Sequence, residues 1–231
     1  MSRIVVITGS TRGIGLATAL EFLKNGDRVV VFCRHQRHVK QATDRLQRLA
    51  DSQKVLGLVG DVRKGEDAKR IVRGCLKAFG RIDVLINNAG IAAYKEIEET
   101  TEKQWNDILD TNLKGTFLLM REVLPVMKKQ EKGIIINVSS LLGVAGMANF
   151  SAYCASKFGV IGLTQSVADE TAGTGIRIYA VLPGAVNTKL NKDLGLDMKP
   201  SELLKPEDVA REIFQLAEGR KRSGQSIEVY L

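Results

Sequence analysis

"RIVVITGSTRGIGLATALEFLKNGDRVVVFC", residues 3–33, runs through three patterns in succession. RIVVIT (3–8) is apolar and β-branched, as a strand buried on both faces of a parallel sheet is. GLATALEFLKNG (15–26) spaces its apolar residues helically and stops at Gly26. RVVVFC (28–33) is a second buried strand. Between the first strand and the helix, TGSTRGIG (8–15) sets Gly9, Gly13 and Gly15 where the chain must turn sharply. Glycines there let a phosphate approach the backbone, and the helix N-terminus adds free N–H groups and the positive end of its dipole. The spacing is G-x-x-x-G-x-G, not the common dinucleotide G-x-G-x-x-G. On its own the turn is a weak signal, and a merely structural connection is its alternative.

The same alternation continues to the end of the chain. A basic, polar helix is expected over 36–51, a strand over KVLGLVGDV (54–62), a helix over 66–79 and a strand over IDVLINNAG (82–90). A long helical region covers 101–130, followed by strand GIIINVSS (133–140), a helix over 151–173 and strand IRIYAVLPG (176–184). KPEDVAREIFQLAE opens a last helix with proline in its first turn, and QSIEVYL closes as a seventh strand. Strands alternating with helices imply a parallel sheet covered on both faces. No linker, low-complexity segment or repeat interrupts the 231 residues, so one doubly wound α/β domain over 1–231 is expected. Such sheets bind ligands at the carboxyl ends of their strands.

Bulk properties narrow the function classes. Hydrophobic content of 44% and charged content of 26% are ordinary for a soluble globular protein. No apolar run reaches the roughly 18 residues of a membrane span. The N-terminus lacks the long apolar core of a secretory signal. Cys33, Cys75 and Cys154 form no metal-spaced cluster, so a reduced, cytoplasmic chain without a metal site is expected. The net charge of +8 comes with 5% aromatics and no nucleic-acid reading element, which leaves a solvated basic surface and argues against a nucleic-acid partner. One segment is sharper. Arg28, Arg34, Arg37, Lys40, Arg45, Arg48 and both histidines face a single acid, Asp44. At the end of the second strand, where a site for NAD places an acid, the chain has Cys33 and then Arg34. Arg12 in the glycine turn reaches the same region, and two guanidiniums suit a 2′-phosphate, so the expected cofactor is NADP(H).

YCASK (153–157) follows the strand that ends INVSS. A free tyrosine hydroxyl has a pKa near 10 and is a poor acid at neutral pH. Positions i and i+4 share a helix face, so Tyr153 and Lys157 can point into one cleft, where an ammonium beside the phenol is expected to lower the tyrosine pKa. Alone, such a pair is more often structural than catalytic. In order, TGSTRGIG, NNAG (87–90), Asn112, Ser140, YCASK and PG (183–184) resemble the short-chain dehydrogenase/reductases over nearly the whole chain. They look nearest to the compact NADP(H)-dependent carbonyl reductases, including the 3-oxoacyl-[acyl-carrier-protein] reductase-like proteins.

The resemblance implies a Rossmann fold with a seven-stranded parallel sheet and a catalytic set of Asn112, Ser140, Tyr153 and Lys157. In that set Tyr153 gives the proton, Ser140 holds the carbonyl oxygen, Lys157 also binds the nicotinamide ribose, and Asn112 holds a water linking Lys157 to solvent. The family's serine lies thirteen residues before its tyrosine, which selects Ser140 over Ser139. It also implies that Gly9, Ser10, Thr11, Arg12, Gly13, Ile14, Gly15 and Arg34 hold the cofactor, with Asp61 and Val62 at its adenine. Asn88, Ala89 and Gly90 would pass beneath its adenosine side, and Pro183, Gly184, Val186 and Thr188 would form the nicotinamide-side loop.

Expected substrate walls are Ala92 to Tyr94, Leu141 to Phe150, and a lid over 189–206. Two positions depart from the carrier-protein reductases, which have arginines where this chain has Thr174 and Gln130; Lys128, Lys129 and Lys132 lie close by as substitutes for an acidic carrier. The chain also ends at VYL without the glycine-rich tail of many relatives, which implies altered tetramer contacts. The function expected is reduction of a small-molecule carbonyl by NADPH in a homodimer or homotetramer. The alternatives are an NAD(P)-linked alcohol dehydrogenase working oxidatively and a cofactor-binding regulator with vestigial catalysis.

Overall fold

The computed structural model describes residues 2–196, 198–219 and 221–231. Seven parallel strands form one sheet in the order β3-β2-β1-β4-β5-β6-β7: β1 (Ile4–Thr8), β2 (Arg28–Cys33), β3 (Val55–Val59), β4 (Val84–Asn87), β5 (Gly133–Val138), β6 (Ile176–Pro183) and β7 (Ser226–Val229). The order reverses between β1 and β4, which opens a crevice at their carboxyl ends. β1 pairs with β2 from Ile4↔Arg28 to Thr8↔Phe32. Its side chains alternate between two cores: Val5 and Ile7 enter one, Ile4 and Val6 the other. Continuous β-branched runs are therefore needed, because both faces of the strand are covered.

One face is covered by α1 (Gly13–Lys24), α2 (Gln36–Gln47) and α8 (Pro206–Ala217), which send Phe22, Leu46 and Ile213 into the first core. Phe22 meets Phe214 edge-on at 5.1 Å between centroids. The Arg3 guanidinium lies over both rings, at 5.2 and 4.9 Å, tying the start of the chain to α1 and α8. The other face carries α3 (Gly65–Phe79), α5 (Gly115–Lys129) and α6 (Ser151–Glu170), with Ile71, Leu119 and Val167 in the second core. α4 (Glu102–Leu109) leads into α5, and α7 (Lys189–Asp193) lies after β6.

Several boundaries differ from expectation for local reasons. The helix expected over 101–130 contains a π turn at Asp110–Lys114 between α4 and α5, a feature helices often carry at functional sites. The helix expected over 36–51 stops at Gln47, and the Asp51 carboxylate instead caps a short turn by accepting from Gln53 N at 3.0 Å. α6 ends at Glu170, where the Thr171 hydroxyl turns back onto the Val167 carbonyl at 2.9 Å. β3, β4 and β5 end earlier than their apolar runs, and the residues that follow leave the sheet to line the crevice. Within the stretch read as a lid, α7 and a turn at Pro200–Glu202 are present, while Asp197 lies outside the described residues.

Candidate functional site

The crevice holds a cavity of about 630 Å³ lined by the loops that follow β1 to β6. The glycine turn forms its floor. Gly9 (φ +64°) and Gly13 (φ +54°) take left-handed conformations that L side chains rarely adopt. A Cβ on Gly9 would lie 3.0 Å from the Ala89 Cα, so glycine is also needed for the close approach of the β1 and β4 loops. No side chain caps the start of α1, which leaves its first N–H groups without a side-chain partner.

Not every expected cofactor residue faces the cavity. Thr11, Arg12, Gly13, Ile14, Val62, Ala89 and Gly90 line it with Gly9, whereas Ser10 and Gly15 do not. Ser10 is fully buried; its hydroxyl donates to the Ile7 carbonyl at 2.7 Å and accepts from Phe32 N at 2.9 Å, joining β1 to β2. A Cβ on Gly15 would fall 2.5 Å from Asn88 Nδ2. Asn88 Nδ2 donates to the Thr8 carbonyl at 2.9 Å and the Gly9 carbonyl at 3.3 Å, so Asn88 braces the turn from the β4 side.

The end of the cavity beside β2 is cationic. Cys33, Arg34, His35 and His38 line it together with Arg12. Arg34 Nε donates to His35 Nε2 at 3.1 Å, and the two imidazoles meet edge-on at 5.3 Å. Asp61 lies on the same side, but its carboxylate is bound by Arg63, which also holds Asp107. Burial opposes ionisation of Asp61. Hydrogen bonds from the Arg63 side chain and backbone, with the charges of Arg63 and Arg34, outweigh it and hold the carboxyl below its usual range. The basic segment of the sequence points to this end, but its charge pattern does not tell which residues line the cavity, and His35 and His38 are among those that do.

At the other end, Ser140, Tyr153 and Lys157 line the cavity together. Lys157 is 4% exposed, and its Nζ donates to the Val138 carbonyl at 2.8 Å. Nζ lies 5.5 Å from the centroid of the Tyr153 ring. The expected lowering of the tyrosine pKa is absent. Burial pushes the Tyr153 phenol up to about 12, against the opposing pull of the Ser140 hydroxyl. Burial also pushes Lys157 down to about 8. Desolvation thus outweighs the attraction between ammonium and phenolate: Lys157 is buried with its ammonium engaged by a carbonyl, and Tyr153 is half-buried at the cavity wall.

Ser139 and Ser140 have separate environments. Ser139 is buried and donates to the Lys157 carbonyl at 2.9 Å; Ser140 Oγ accepts from Leu142 N at 3.1 Å and lines the cavity. Asn112 sits in the π turn and stops short of the cavity wall, where Thr111 stands instead. Its side chain clamps the β4 loop: Oδ1 accepts from Ile91 N and Nδ2 donates to the Ile91 carbonyl, both at 2.9 Å. Nδ2 also donates to Ser156 Oγ at 3.0 Å.

Pro183, Gly184, Val186 and Thr188 line the β6 side, where Val186 pairs with Leu204 in a single bridge. Beyond Tyr153 the wall turns apolar with Leu141, Leu142, Met147, Phe150, Leu190 and Met198. Phe150 lies 6.1 Å from Tyr153 and 5.2 Å from Tyr94, ring to ring, but Tyr94 and Val144 are exposed and outside the cavity. The two departures noted in the sequence have structural uses. Gln130 exchanges two hydrogen bonds with the Ile82 backbone, at 3.0 and 2.8 Å, and the Thr174 hydroxyl closes a turn onto the Thr171 carbonyl at 2.7 Å. Among the described residues no helix is long and apolar enough to cross a membrane, and no metal-binding cluster of His, Cys, Asp and Glu is present.

A family model described as short chain dehydrogenase matches residues 3–199. The chain is 34% identical over 244 aligned residues to 3-oxoacyl-[acyl-carrier-protein] reductase FabG of Staphylococcus epidermidis, covering 99% of this chain and 98% of that protein. Among solved structures, it resembles a variant actinorhodin polyketide ketoreductase with NADPH at a TM-score of 0.92 and 28% identity, covering 99% of this chain and 96% of the other. ElxO with NADP bound gives a TM-score of 0.90 and 33% identity, covering 99% and 97%.

Proposed function

Because the chain belongs to the short-chain dehydrogenase family, we propose that it reduces a carbonyl group on a small molecule with NADPH, Tyr153 giving the proton. One observation carries this reading: Ser140, Tyr153 and Lys157 share a cavity whose far end holds Arg12, Arg34, His35 and His38. The chain is an oxidoreductase by family, and relatives with NADP or NADPH bound support the phosphorylated cofactor.

The residues fit such a cofactor. The uncapped start of α1 and the Gly9–Gly13 turn suit a pyrophosphate, and the cationic end suits a 2′-phosphate. Gly90 keeps the space beside Lys157 open: a Cβ there would lie 3.7 Å from Lys157 Nζ and 3.4 Å from Asn112 Oδ1. Pro183, Gly184, Val186 and Thr188 would hold the nicotinamide side. When bound, NADPH supplies a hydride.

The protein's own groups supply the rest. The phenol at about 12 is protonated at any working pH, the form a proton donor needs. Ser140 Oγ would donate to the carbonyl oxygen and orient it towards Tyr153. Lys157, at about 8, exchanges protons near neutrality and would help restore the phenol. The Asn112 carbonyl, which accepts from Thr116 Oγ1 at 2.8 Å, would hold a water in that relay. The apolar wall favours an uncharged ketone or thioester end, and α7 with the turn at Pro200–Glu202 would act as its lid.

The test is NADPH oxidation against a panel of ketones, aldehydes, diketones and acetoacetyl thioesters, with Tyr153→Phe beside wild type. Loss of a general acid is expected to cost about 10²–10⁴-fold in turnover, with NADPH still bound. A variant that kept more than roughly a tenth of wild-type turnover would remove Tyr153 from the role.

A further inference from the structure

Ser156 stands between Tyr153 and Lys157 in the YCASK stretch, and no step above uses it. It is fully buried and does not line the cavity. A buried hydroxyl needs partners, and Ser156 has them on two elements. It donates to the Tyr153 carbonyl at 2.7 Å and accepts from Asn112 Nδ2 at 3.0 Å. The first bond runs three residues back along α6, a common habit of serine in helices. The second crosses 44 residues of sequence to the π turn.

The polarity of this contact is fixed. Asn112 Nδ2 donates to the Ile91 carbonyl and Oδ1 accepts from Ile91 N, both at 2.9 Å. Reversing the amide would set Oδ1 against the Ile91 carbonyl, so the Ile91 backbone decides which end of Asn112 meets Ser156. That end brings an N–H. The Ser156 oxygen must accept it, and the one hydroxyl proton goes to Tyr153. Asn112 is 1% exposed, so water offers no substitute partner. Packing repeats the contact three residues on, where a Cβ at Gly159 would lie 2.7 Å from Leu113 Cδ2. The π turn is thus seated on α6 by one hydrogen bond and one close apolar contact. The Asn112 amide and the Lys157 ammonium stand together beside Gly90.

We propose that Ser156 is a positioning residue for the return of a proton to Tyr153: it locks Asn112 to the helix that carries Tyr153 and Lys157. The inference rests on the roles given to Tyr153, Lys157 and the Asn112 carbonyl above. Ser156 meets neither substrate nor cofactor and acts through Asn112. The place of the Asn112 carbonyl in the relay is set by how the π turn sits on α6. With alanine at 156, an Asn112 N–H loses its acceptor inside the fold. The π turn and the loop after β4 then loosen together, because Asn112 holds both.

The experiment compares Ser156→Ala and Ser156→Cys with wild type as full chains, each shown folded by circular dichroism. One measurement needs no turnover: hydrogen–deuterium exchange of the chain alone, resolved along the sequence. Losing only the bond to the Tyr153 carbonyl would speed exchange in α6. Losing the lock speeds it at Ile91 N and through 110–114, which is the expected result, by about tenfold, as one unmatched buried donor implies. The other measurement is steady-state reduction of the carbonyl that wild type reduces fastest. In Ser156→Ala, kcat should fall about tenfold and KM for NADPH should stay within about twofold. The solvent isotope effect on kcat should rise, because a slowed proton return then limits turnover. A thiol is of similar size and a weak acceptor, so Ser156→Cys should recover part of both losses. Exchange that speeds only in α6, or a kcat in Ser156→Ala within about twofold of wild type, overturns the role of Ser156 and leaves Tyr153 as the proton donor. A wild type that reduces no carbonyl overturns the proposed function instead, and exchange at Ile91 N then decides the lock by itself.

Discussion

Replacing Lys157 with methionine should make the folded chain no less stable at neutral pH while destroying its turnover. Methionine keeps the length and apolar character of the lysine stem. Burial takes the ammonium from 10.5 to about 8, and each unit is worth about 1.4 kcal/mol, so holding the charge in the fold costs roughly 3 kcal/mol. Against this, the variant leaves the Val138 carbonyl without its 2.8 Å donor, a loss of about 1–3 kcal/mol for a buried acceptor. The net at pH 7 is a change of about 0–2 kcal/mol in favour of the variant.

The pH dependence is the sharper part. At pH 7 the lysine is charged in both states and the full cost is present. As pH rises past about 8, the folded chain releases the proton while the unfolded chain keeps it until 10.5. Across that window the unfolded state binds more protons, so wild-type stability rises with pH relative to the variant. Above 10.5 the lysine is neutral in both states and the cost has gone. Urea unfolding of both proteins, followed by circular dichroism at one protein concentration and in steps from pH 7 to 10.5, should show wild type gaining about 3 kcal/mol on the variant. Groups common to both chains cancel in the difference, and Tyr153, at about 12, titrates above the window. A difference that stays flat from pH 7 to 10.5 would refute the desolvation argument, and with it the account of why Tyr153 is raised.

Arg34→Ala should weaken NADPH more than NADH by about tenfold, the lower end of the 1.5–3 kcal/mol range for a charge-assisted hydrogen bond, because Arg34 is exposed and screened. Cys33→Asp should move preference further towards NADH by repelling the phosphate and offering an acceptor to a free 2′-hydroxyl; kcat/KM for both cofactors at two salt concentrations decides, and an equal loss for both would be the wrong outcome. Trp105, Phe117 and Phe158 stand 39%, 43% and 46% exposed on α4, α5 and α6, an apolar set that a second copy of the chain would cover. Light scattering at micromolar concentration is expected to give at least a dimer mass; a monomer mass would refute the pairing.

Sheet and helices were legible because the apolar runs of a strand covered on both faces leave little room for another reading. RVVVFC is expected as a strand over 28–33 and is one over the same residues. The strand ends were less legible. GDV, NNAG and VSS follow their apolar runs directly, yet the strands end at Val59, Asn87 and Val138 and the next residues line the crevice. The π turn at Asp110–Lys114 was invisible for a different reason. One extra residue in a helical turn changes which side chains face inward without changing composition, and only the packing of Gly115 against Val62, where a Cβ would lie 2.9 Å away, marks the place.

A sequence motif does not separate residues that touch a ligand from residues that hold those residues in position. Ser139 and Ser140 make the distinction plain. They are adjacent at the end of β5, where successive side chains point to opposite sides. One is buried and fastens α6 through the Lys157 carbonyl; the other is half-buried, and its Oγ accepts from Leu142 N. Ser10, Gly15 and Asn112 belong with the fasteners: they join β1 to β2, let Asn88 reach the glycine turn, and clamp the β4 loop. Substitutions in the two groups should therefore fail differently. Removing a group that meets the substrate lowers turnover in a chain that keeps its stability, whereas removing a fastener leaves buried donors or acceptors unmatched, at about 1–3 kcal/mol each, before any chemistry is affected. The expected residues that stop short of the cavity are thus the ones whose loss a melting curve should register first.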